Sequence, residues 1–224
     1  MKTVVSFILT LTFLFTNASA ANYYFSGNED ADYTNAANWF PTYPGTTIGV
    51  DDKVFIQADA NIIGFDLLVE GLLDVSMGAK ISASSSNLLL KRNAKVMNNG
   101  EIIVSYLKNE GTFENCAGGR FACSQLNNTI SGTMNSAIAS KSFINETFLN
   151  EGVYNLSSEC VVKGNFFNKK SITLSNQAIL NVIGELNNTK SAQLKRGDRA
   201  TVNASKTTTT EQINPADYLN MIPQ

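Results

Sequence analysis

Two stretches of the chain decide its fold: LNNTISGTM, residues 126–134, and LNNTKSAQL, residues 186–194. They are identical at five of nine positions and begin 60 residues apart, which is three periods of 20. Weaker copies are YLKNEGTF (106–113), FLNEGVYNL (148–156) and FFNKKSITL (166–174). Each copy has an apolar residue, an asparagine within two positions and, further on, another apolar residue. The sequence therefore predicts a structural repeat of about 20 residues.

Two series of apolar residues keep nearly the same spacing. The first is Phe113, Met134, Tyr154, Leu174 and Leu194, and the second is Leu107, Leu126, Leu149, Phe167 and Leu186. A repeat of this length, built from short strands and turns, is typical of a β-helix. One coil cannot bury its own inward side chains, whereas stacked coils align them into a continuous core. We therefore expect an all-β, right-handed parallel β-helix with about 20 residues per coil.

The segments between the repeats agree with short strands. Runs such as KVFIQ, DLLVEG and EIIVS alternate with Asn, Gly and Ser, which are typical turn residues. An antiparallel β-sandwich also uses short strands, but it requires hairpin signals between them. Only Asn98–Gly100 (NNG) offers such a signal, so the solenoid is the favoured interpretation, with coils over residues 51–205.

A solenoid has two open ends, which recruit other chains unless they are covered. The aromatic, proline-containing segment 21–50 predicts an N-terminal cap, in which Trp39 and Phe40 lie over the first coil. The residues expected to build the cap are Trp39, Phe40, Pro44, Gly45, Asp51 and Asp52, with the two aspartates binding backbone amides. The polar segment 206–224 is interpreted as a C-terminal tail, either a second cap or a tether.

The cap segment carries a resemblance to known proteins. In NAANWFPTYPGTTIGVDDKVFI, the Asn38-Trp39, Pro44-Gly45 and Asp51-Asp52 pairs precede a β-run at residues 54–56. This order resembles the opening of secreted β-solenoid surface proteins of bacteria, many of them from Bacteroidetes-like organisms. The resemblance covers 22 residues and implies an extracellular solenoid, often part of a larger adhesin. The chain departs from that pattern in being short and in showing no evident C-terminal sorting domain.

The first twenty residues have the pattern of an export signal. Lys2 precedes an apolar run at residues 4–15, and Ala18 and Ala20 form an A-x-A cleavage pattern. The apolar run is shorter than the roughly 20 residues of a membrane-spanning helix. We therefore expect a signal peptide over residues 1–20, no transmembrane segment, and a secreted or cell-surface protein.

Composition argues against several classes of function. The chain has 27 asparagines and no histidine, the commonest general base and metal ligand. Its formal charge of −2 becomes −3 once Lys2 is removed with the signal. The single dense basic stretch, residues 194–200, is interrupted by Asp198, whereas nucleic-acid binding needs clustered positive charge. We expect no nucleic-acid partner.

Three cysteines allow at most one disulfide. Cys116 and Cys123 flank the glycine-containing loop AGGRFA and are expected to pair, leaving Cys160 as a buried small apolar residue. Too few ligands are present for zinc, and neither residues 28–32 nor 51–52 match a calcium-loop spacing. No metal or cofactor is therefore expected.

An enzyme of the β-helix type needs carboxylates that converge on one face of adjacent coils. Here the acids are scattered, and Glu110 and Glu151 both occupy solvated NEG turns. The favoured hypothesis is a non-enzymatic extracellular structural or adhesive protein that acts through its repetitive surface. Its partner would be another copy of itself, a surface polysaccharide or a surface protein. The alternative is a carbohydrate-active β-helix enzyme or a carbohydrate-binding module.

Overall fold

The structure is a computed structural model that describes residues 20–210, so residues 1–19 of the predicted signal peptide (1–20) and residues 211–224 of the predicted tail (206–224) lie outside it. The chain is all-β. One sheet, sheet A, contains β1 (Asn22–Phe25), β2 (Trp39–Phe40), β4 (Lys53–Ile56), β7 (Leu72–Val75), β9 (Lys95–Asn98), β11 (Thr112–Asn115), β13 (Thr133–Ser136), β15 (Val153–Leu156), β18 (Ser171–Leu174) and β20 (Gln193–Arg196). A short 3₁₀ turn at Ala36–Asn38 precedes β2.

The second sheet, sheet B, alternates with sheet A along the chain. It contains β3 (Thr47–Ile48), β5 (Ala60–Asn61), β6 (Leu67–Val69), β8 (Lys80–Leu90), β10 (Glu101–Asn109), β12 (Arg120–Asn128), β14 (Lys141–Asn150), β16 (Glu159–Val162), β17 (Phe166–Asn168), β19 (Ile179–Thr189) and β21 (Thr201–Thr210). Some pairs of long strands shift register near their middle, as β10 and β8 do between Val104 and Tyr106. No helix among residues 20–210 is long and apolar enough to cross a membrane.

Successive strands in each sheet pair in parallel, apart from the antiparallel pair β1–β2. The chain is therefore a parallel β-solenoid of about eight coils with about 21 residues per coil, as the sequence repeat predicted. The coils extend somewhat beyond the predicted limits of residues 51–205. Strand β1 already pairs with β4, and β21 continues to Thr210.

Inward side chains stack into continuous apolar rows. One row in sheet B is Leu67, Leu88, Leu107, Leu126, Phe148, Phe166 and Leu186, all of them buried. Within it, the rings of Phe148 and Phe166 stack with centroids 4.2 Å apart. Parallel stacking aligns like residues at the strand spacing of about 4.8 Å, which is why one coil's core continues into the next.

The structure corrects the predicted register at three positions. Leu149 and Phe167 each follow the true inward residue by one position, and a shift of one residue moves a side chain to the other face of a strand. Leu174 lies two positions beyond Ile172, which is the residue aligned with Tyr154. The cause is variable coil length, because some corners between strands contain two residues and others four.

Several two-residue corners contain glycine at a position where the neighbouring coil comes close. A Cβ atom at Gly111 would lie 2.4 Å from the carbonyl oxygen of Ala94, and one at Gly152 would lie 2.2 Å from that of Gly132. Both distances are far shorter than van der Waals contact, so a larger residue at either position would require the neighbouring coil to move. Glycine at these corners therefore permits the close stacking of successive coils.

A ladder of asparagines runs along the inside of one corner. Its members are Asn109, Asn128, Asn150, Asn168 and Asn188, and each side-chain amide donates to the next side-chain carbonyl over 2.8–3.0 Å. The second amide hydrogen of Asn128 is donated to the carbonyl of Val153 over 3.0 Å. A buried amide is costly unless it is hydrogen-bonded, and here both hydrogens have acceptors. The ladder thus joins five consecutive coils through their interior.

The two ends of the solenoid differ. At the N-terminal end, Trp39 and Tyr33 are buried with Phe25, and the Trp39 indole donates to the Tyr33 carbonyl over 2.7 Å. At the C-terminal end, the inward residues Leu194, Val202 and Ala204 of the last coil are only partly buried. Within residues 20–210, the N-terminal end therefore has an apolar covering and the C-terminal end has none.

Candidate interaction surface

The outer face of sheet A between β11 and β18 presents mostly short polar side chains in two parallel rows. One row contains Thr112, Thr133, Val153 and Ser171, and the other contains Glu114, Asn135, Asn155 and Thr173. We call these eight residues the polar array. All are partly exposed, while the residues alternating with them in the same strands face the core.

The polar array has a fixed geometry because the strands beneath it pair in register. Neighbouring strands lie about 4.8 Å apart, and alternate residues along a parallel strand lie about 6.6 Å apart. The buried partners Phe113, Met134, Tyr154 and Ile172 anchor the four strands from below. A flat grid of hydroxyl and amide groups at regular intervals can make repeated contacts with a partner that is itself repetitive.

Side chains of the array bind one another and a lysine of the preceding coil. Asn155 donates its amide to the side-chain carbonyl of Asn135 over 2.9 Å. Glu114 forms a salt bridge with Lys95 at 3.0 Å. These contacts run between coils, parallel to the solenoid axis, and they restrict the rotamers of groups that would contact a partner.

An open depression adjoins one edge of the array. Glu114, Asn135, Asn155 and Ser157 contribute to its lining, together with Cys116 at the following corner. Glu114 is the one carboxylate among its lining residues, and Lys95 already neutralises it. This depression therefore has polar groups suited to hydrogen bonding but no second carboxylate for acid–base chemistry.

A second depression lies at the short corner of Gly100. Its charged lining residues are Asp59, Lys80, Glu101 and Arg120, and Lys80 forms a salt bridge with Glu101 at 3.6 Å. Two acids and two bases leave the depression without a net formal charge. Such a site favours mixed polar contacts over the selective binding of an anion or a cation.

Glu110 and Glu151, the acids of the two Asn-Glu-Gly turns, each form an ion pair with a lysine. Lys108 lies 2.6 Å from Glu110, and Lys169 lies 2.9 Å from Glu151. The hydrogen bond from Lys108 lowers the pKa of Glu110, so this carboxyl is ionised at neutral pH. A catalytic general acid instead requires a pKa raised toward the working pH, so the geometry of Glu110 fits a structural ion pair.

The acids of residues 28–32 serve the cap. Hydrogen bonds from Asn35 and Asn38 lower the pKa of Asp30, and the buried Asn38 also accepts from the backbone of Glu29 over 2.9 Å. Within residues 20–210, no three His, Cys, Asp or Glu side chains come together in a way that could hold a metal ion. Asp30 thus stabilises the cap loop through hydrogen bonds.

The predicted cap residues have different positions in the structure. Trp39 is buried, packing edge-on against Phe25 and Tyr33 with centroids 5.1 and 4.9 Å away. Its neighbour Phe40 is 69% exposed and faces solvent. Pro44 is partly exposed, and Gly45 adopts a left-handed φ of 86° with open space around it. Of the adjacent aromatic pair, only Trp39 covers the core.

The two predicted aspartates also differ. Asp52 accepts hydrogen bonds from the backbone amides of Ala21 and Gly49, each over 3.2 Å, and so joins β1 to the start of β4. Asp51 is exposed at the same corner. Asp52 therefore holds backbone segments together, and Asp51 contributes charge to the surface.

The cysteines do not form the predicted disulfide. All three are free thiols. Cys123 is buried in an inward position of β12, stacked between Val104 and Ile144, whereas Cys116 lines the surface depression beside the array. A disulfide would require one side chain to cross the strand, because the two thiols lie on opposite sides of the coil wall.

Sequence reasoning did not identify the polar array, although its signal is present in the strands themselves. In TFEN, TMNS, VYNL and SITL, the first and third residues are mostly small and polar, while the second is large and apolar. No protein-family model, no curated protein and no solved structure matches the chain.

Proposed function

We propose that the protein is an extracellular structural or adhesive surface protein that acts by binding through its repetitive solenoid surface. The observation that carries this proposal is the polar array, in which four in-register strands present hydroxyl or amide groups at six of eight regularly spaced positions. The partner that fits such a grid is a polymer or surface with its own short repeat, such as a cell-surface polysaccharide.

The energetics of a grid favour many weak contacts. Each exposed hydroxyl or amide contributes little by itself, because its hydrogen bonds to a partner replace hydrogen bonds to water. Several rigidly held contacts, made together, share the entropic cost of association, which is the basis of avidity. A binding surface of this kind should tolerate single substitutions and fail when several coils are altered.

The ion-paired acids support a binding role over catalysis. Glu110, Glu114 and Glu151 each lie within 3.0 Å of a lysine Nζ, so they are engaged at the surface. The alternative, a carbohydrate-active enzyme, requires a protonated acid and a second carboxylate at a defined separation. The test below measures that alternative directly, because it records both retention and product release.

The experiment compares two double variants in a retention assay. Thr133→Lys/Asn155→Lys places long charged side chains within the array, and Asn61→Lys/Ser82→Lys places the same charges on the outer face of sheet B. Purified protein is incubated with insoluble polysaccharides and with cell envelopes, and the retained fraction is measured. We expect the array variant to bind about tenfold more weakly and the control to bind like the wild type.

Equal retention of the two variants, or no retention of the wild type by any surface, would contradict the proposal. Release of soluble sugars during the same incubation would favour the enzyme instead. Thermal unfolding of both variants serves as the folding control, since all four substituted positions face outward.

A further inference from the structure

Charge is separated along the solenoid axis. Residues 20–75, which form the cap and first coils, contain nine acidic side chains and one basic side chain, a formal charge of −8. Residues 76–159 contain seven basic and six acidic side chains, a charge of +1. Residues 160–210 contain eight basic and two acidic side chains, a charge of +6. The small net charge of the whole chain therefore conceals an acidic N-terminal end and a basic C-terminal end.

The acidic end presents its charge to solvent. None of its nine acids is buried, and within residues 20–210 none of them forms a salt bridge. Glu29, Asp51 and Asp59 are exposed at the cap loop and at the two corners that flank β4. The apolar cluster around Trp39 closes the core at this end, and the surface outside it carries these acids together with exposed apolar residues such as Phe40 and Val50.

The basic end has the opposite character. Lys195, Arg196 and Arg199 belong to the last coil, are exposed, and form no salt bridge in the part of the chain that the structure describes. Arg196 continues the inward row of Leu156 and Leu174, so a charge replaces the apolar residue there. A further apolar coil could not stack on this end without burying that charge, which is strongly unfavourable.

We propose that copies of the protein associate head to tail, with the basic last coil of one copy contacting the acidic cap and first coils of the next. This inference rests on the proposed structural or adhesive role and names a second copy as a partner. The charges at the two ends are opposite, so the last coil of one copy and the cap of the next attract each other. A head-to-tail contact leaves one end of each kind free, so it builds an open filament instead of a closed dimer.

The contact is electrostatic and does not involve strand pairing. The outermost strands at the N-terminal end, β2 and β3, are two residues long, and such short edges do not template an added strand. Attraction between exposed charges falls with ionic strength, because the screening length shrinks from about 30 Å at 0.01 M salt to about 3 Å at 1 M. Association should therefore be strong in dilute buffer and lost in concentrated salt.

The test uses charge reversal at each end and a mixture of the two variants. The first variant is Lys195→Glu/Arg196→Glu/Arg199→Glu, and the second is Glu29→Lys/Asp51→Lys/Asp59→Lys. Sedimentation velocity at about 10 mM salt should show concentration-dependent elongated oligomers for the wild type, and the same protein should be monomeric at about 1 M salt. Each variant alone should remain monomeric, because one of its two ends has lost most of its charge. A 1:1 mixture should associate again, because the unaltered acidic cap of the first variant can contact the unaltered basic last coil of the second.

The matched control is Lys91→Glu/Arg92→Glu/Lys141→Glu, which makes the same change in net charge on exposed positions of the middle coils. It should associate like the wild type. A wild type that stays monomeric at low salt would overturn the proposal, as would failure of the mixture to associate. Truncation after Thr210 tests whether residues 211–224 occupy the basic end in place of a second copy. Association only after truncation would show that they do.

Binding of dextran sulfate to the basic end without any self-association would also overturn the head-to-tail proposal, in favour of a polyanion partner. The reversed residues lie outside the polar array, so the retention assay on the two reversal variants separates this inference from the proposed function. Loss of oligomers with unchanged retention is the result that head-to-tail contact predicts.

Discussion

The side-chain amide of Asn109 donates to the side-chain carbonyl of Asn128, one coil further on, over 2.8 Å. The same amide donates its other hydrogen to the backbone carbonyl of Thr133 over 3.0 Å. Asn109 and Asn128 are both fully buried. The pair therefore fixes the height of one coil above another from inside the solenoid, and its repetition through Asn188 makes the coil wall rigid.

The ladder should fail when one amide is replaced by an isosteric acid. Asn128→Asp keeps the shape of the side chain but loses the donor that binds Asn150 and Val153. Buried acceptors left without donors, together with a buried carboxyl, should lower the free energy of unfolding by at least about 2 kcal/mol. Asn145→Asp, at an exposed position, should change it by less than about 0.5 kcal/mol. Urea unfolding measures both, and equal effects would show that the ladder does not stabilise the fold.

The cap should depend on Trp39 and not on Phe40. Trp39→Ala removes the indole bond to Tyr33 and packing against Phe25, so it should cost about 3–5 kcal/mol. Phe40→Ala removes a side chain that faces solvent and should cost less than about 0.5 kcal/mol. Unfolding of the two neighbouring variants, monitored by circular dichroism, separates these expectations. A large loss of stability in Phe40→Ala would show that Phe40 covers the core, which contradicts this arrangement.

The three thiols should differ in reactivity. Burial raises the pKa of Cys123 and brings that of Cys160 to about 12, so neither should form the reactive thiolate at pH 8. Cys116 lines a surface depression and should be alkylated first, although burial and Glu114 also raise its pKa. Mass spectrometry after iodoacetamide treatment should find one modified cysteine in the folded protein and three in urea without reductant. Recovery of only one modified cysteine in urea would instead reveal a disulfide.

The same buried groups predict a loss of stability at alkaline pH. Burial raises the pKa of the Cys160 thiol from 9.0 to about 12 and also raises that of Tyr154. The folded chain then keeps protons that the unfolded chain releases, so this stabilisation is complete below about pH 9 and is lost as pH rises toward 12. Urea unfolding between pH 8 and 11 should show the decline. Cys160→Ala should make the decline in the free energy of unfolding shallower by about 1.4 kcal/mol per pH unit. An unchanged slope would show that the Cys160 thiol does not cause the decline.

Much of the architecture could be predicted because equivalent positions of successive repeats carry similar residues. The copies at residues 126–134 and 186–194 both contain a ladder asparagine, Asn128 and Asn188, two positions after an inward leucine. Stacking places equivalent residues on top of one another, so periodic sequence and periodic structure coincide. Short polar segments between the apolar runs then indicate the corners between strands.

The register could not be predicted, because corner length varies without a clear sequence signal. Leu149 and Phe148 are both large and apolar, and only the pairing of β14 with β12 shows that Phe148 faces the core. Trp39 and Phe40 present the same ambiguity in the cap. The polar array was missed for a related reason: identifying it requires knowing which strands are neighbours, and that follows from register.

We propose that the protein binds through its repetitive surface and does not turn over a substrate. The most direct measurement is an incubation of the purified protein with a panel of surface polysaccharides, recording protein retained and new reducing ends released in the same samples. We expect retention that falls when Thr133 and Asn155 are both replaced by lysine, with no rise in reducing ends over a buffer control. Steady release of reducing ends, abolished by replacing a single carboxylate such as Glu110 or Glu151, would contradict the account.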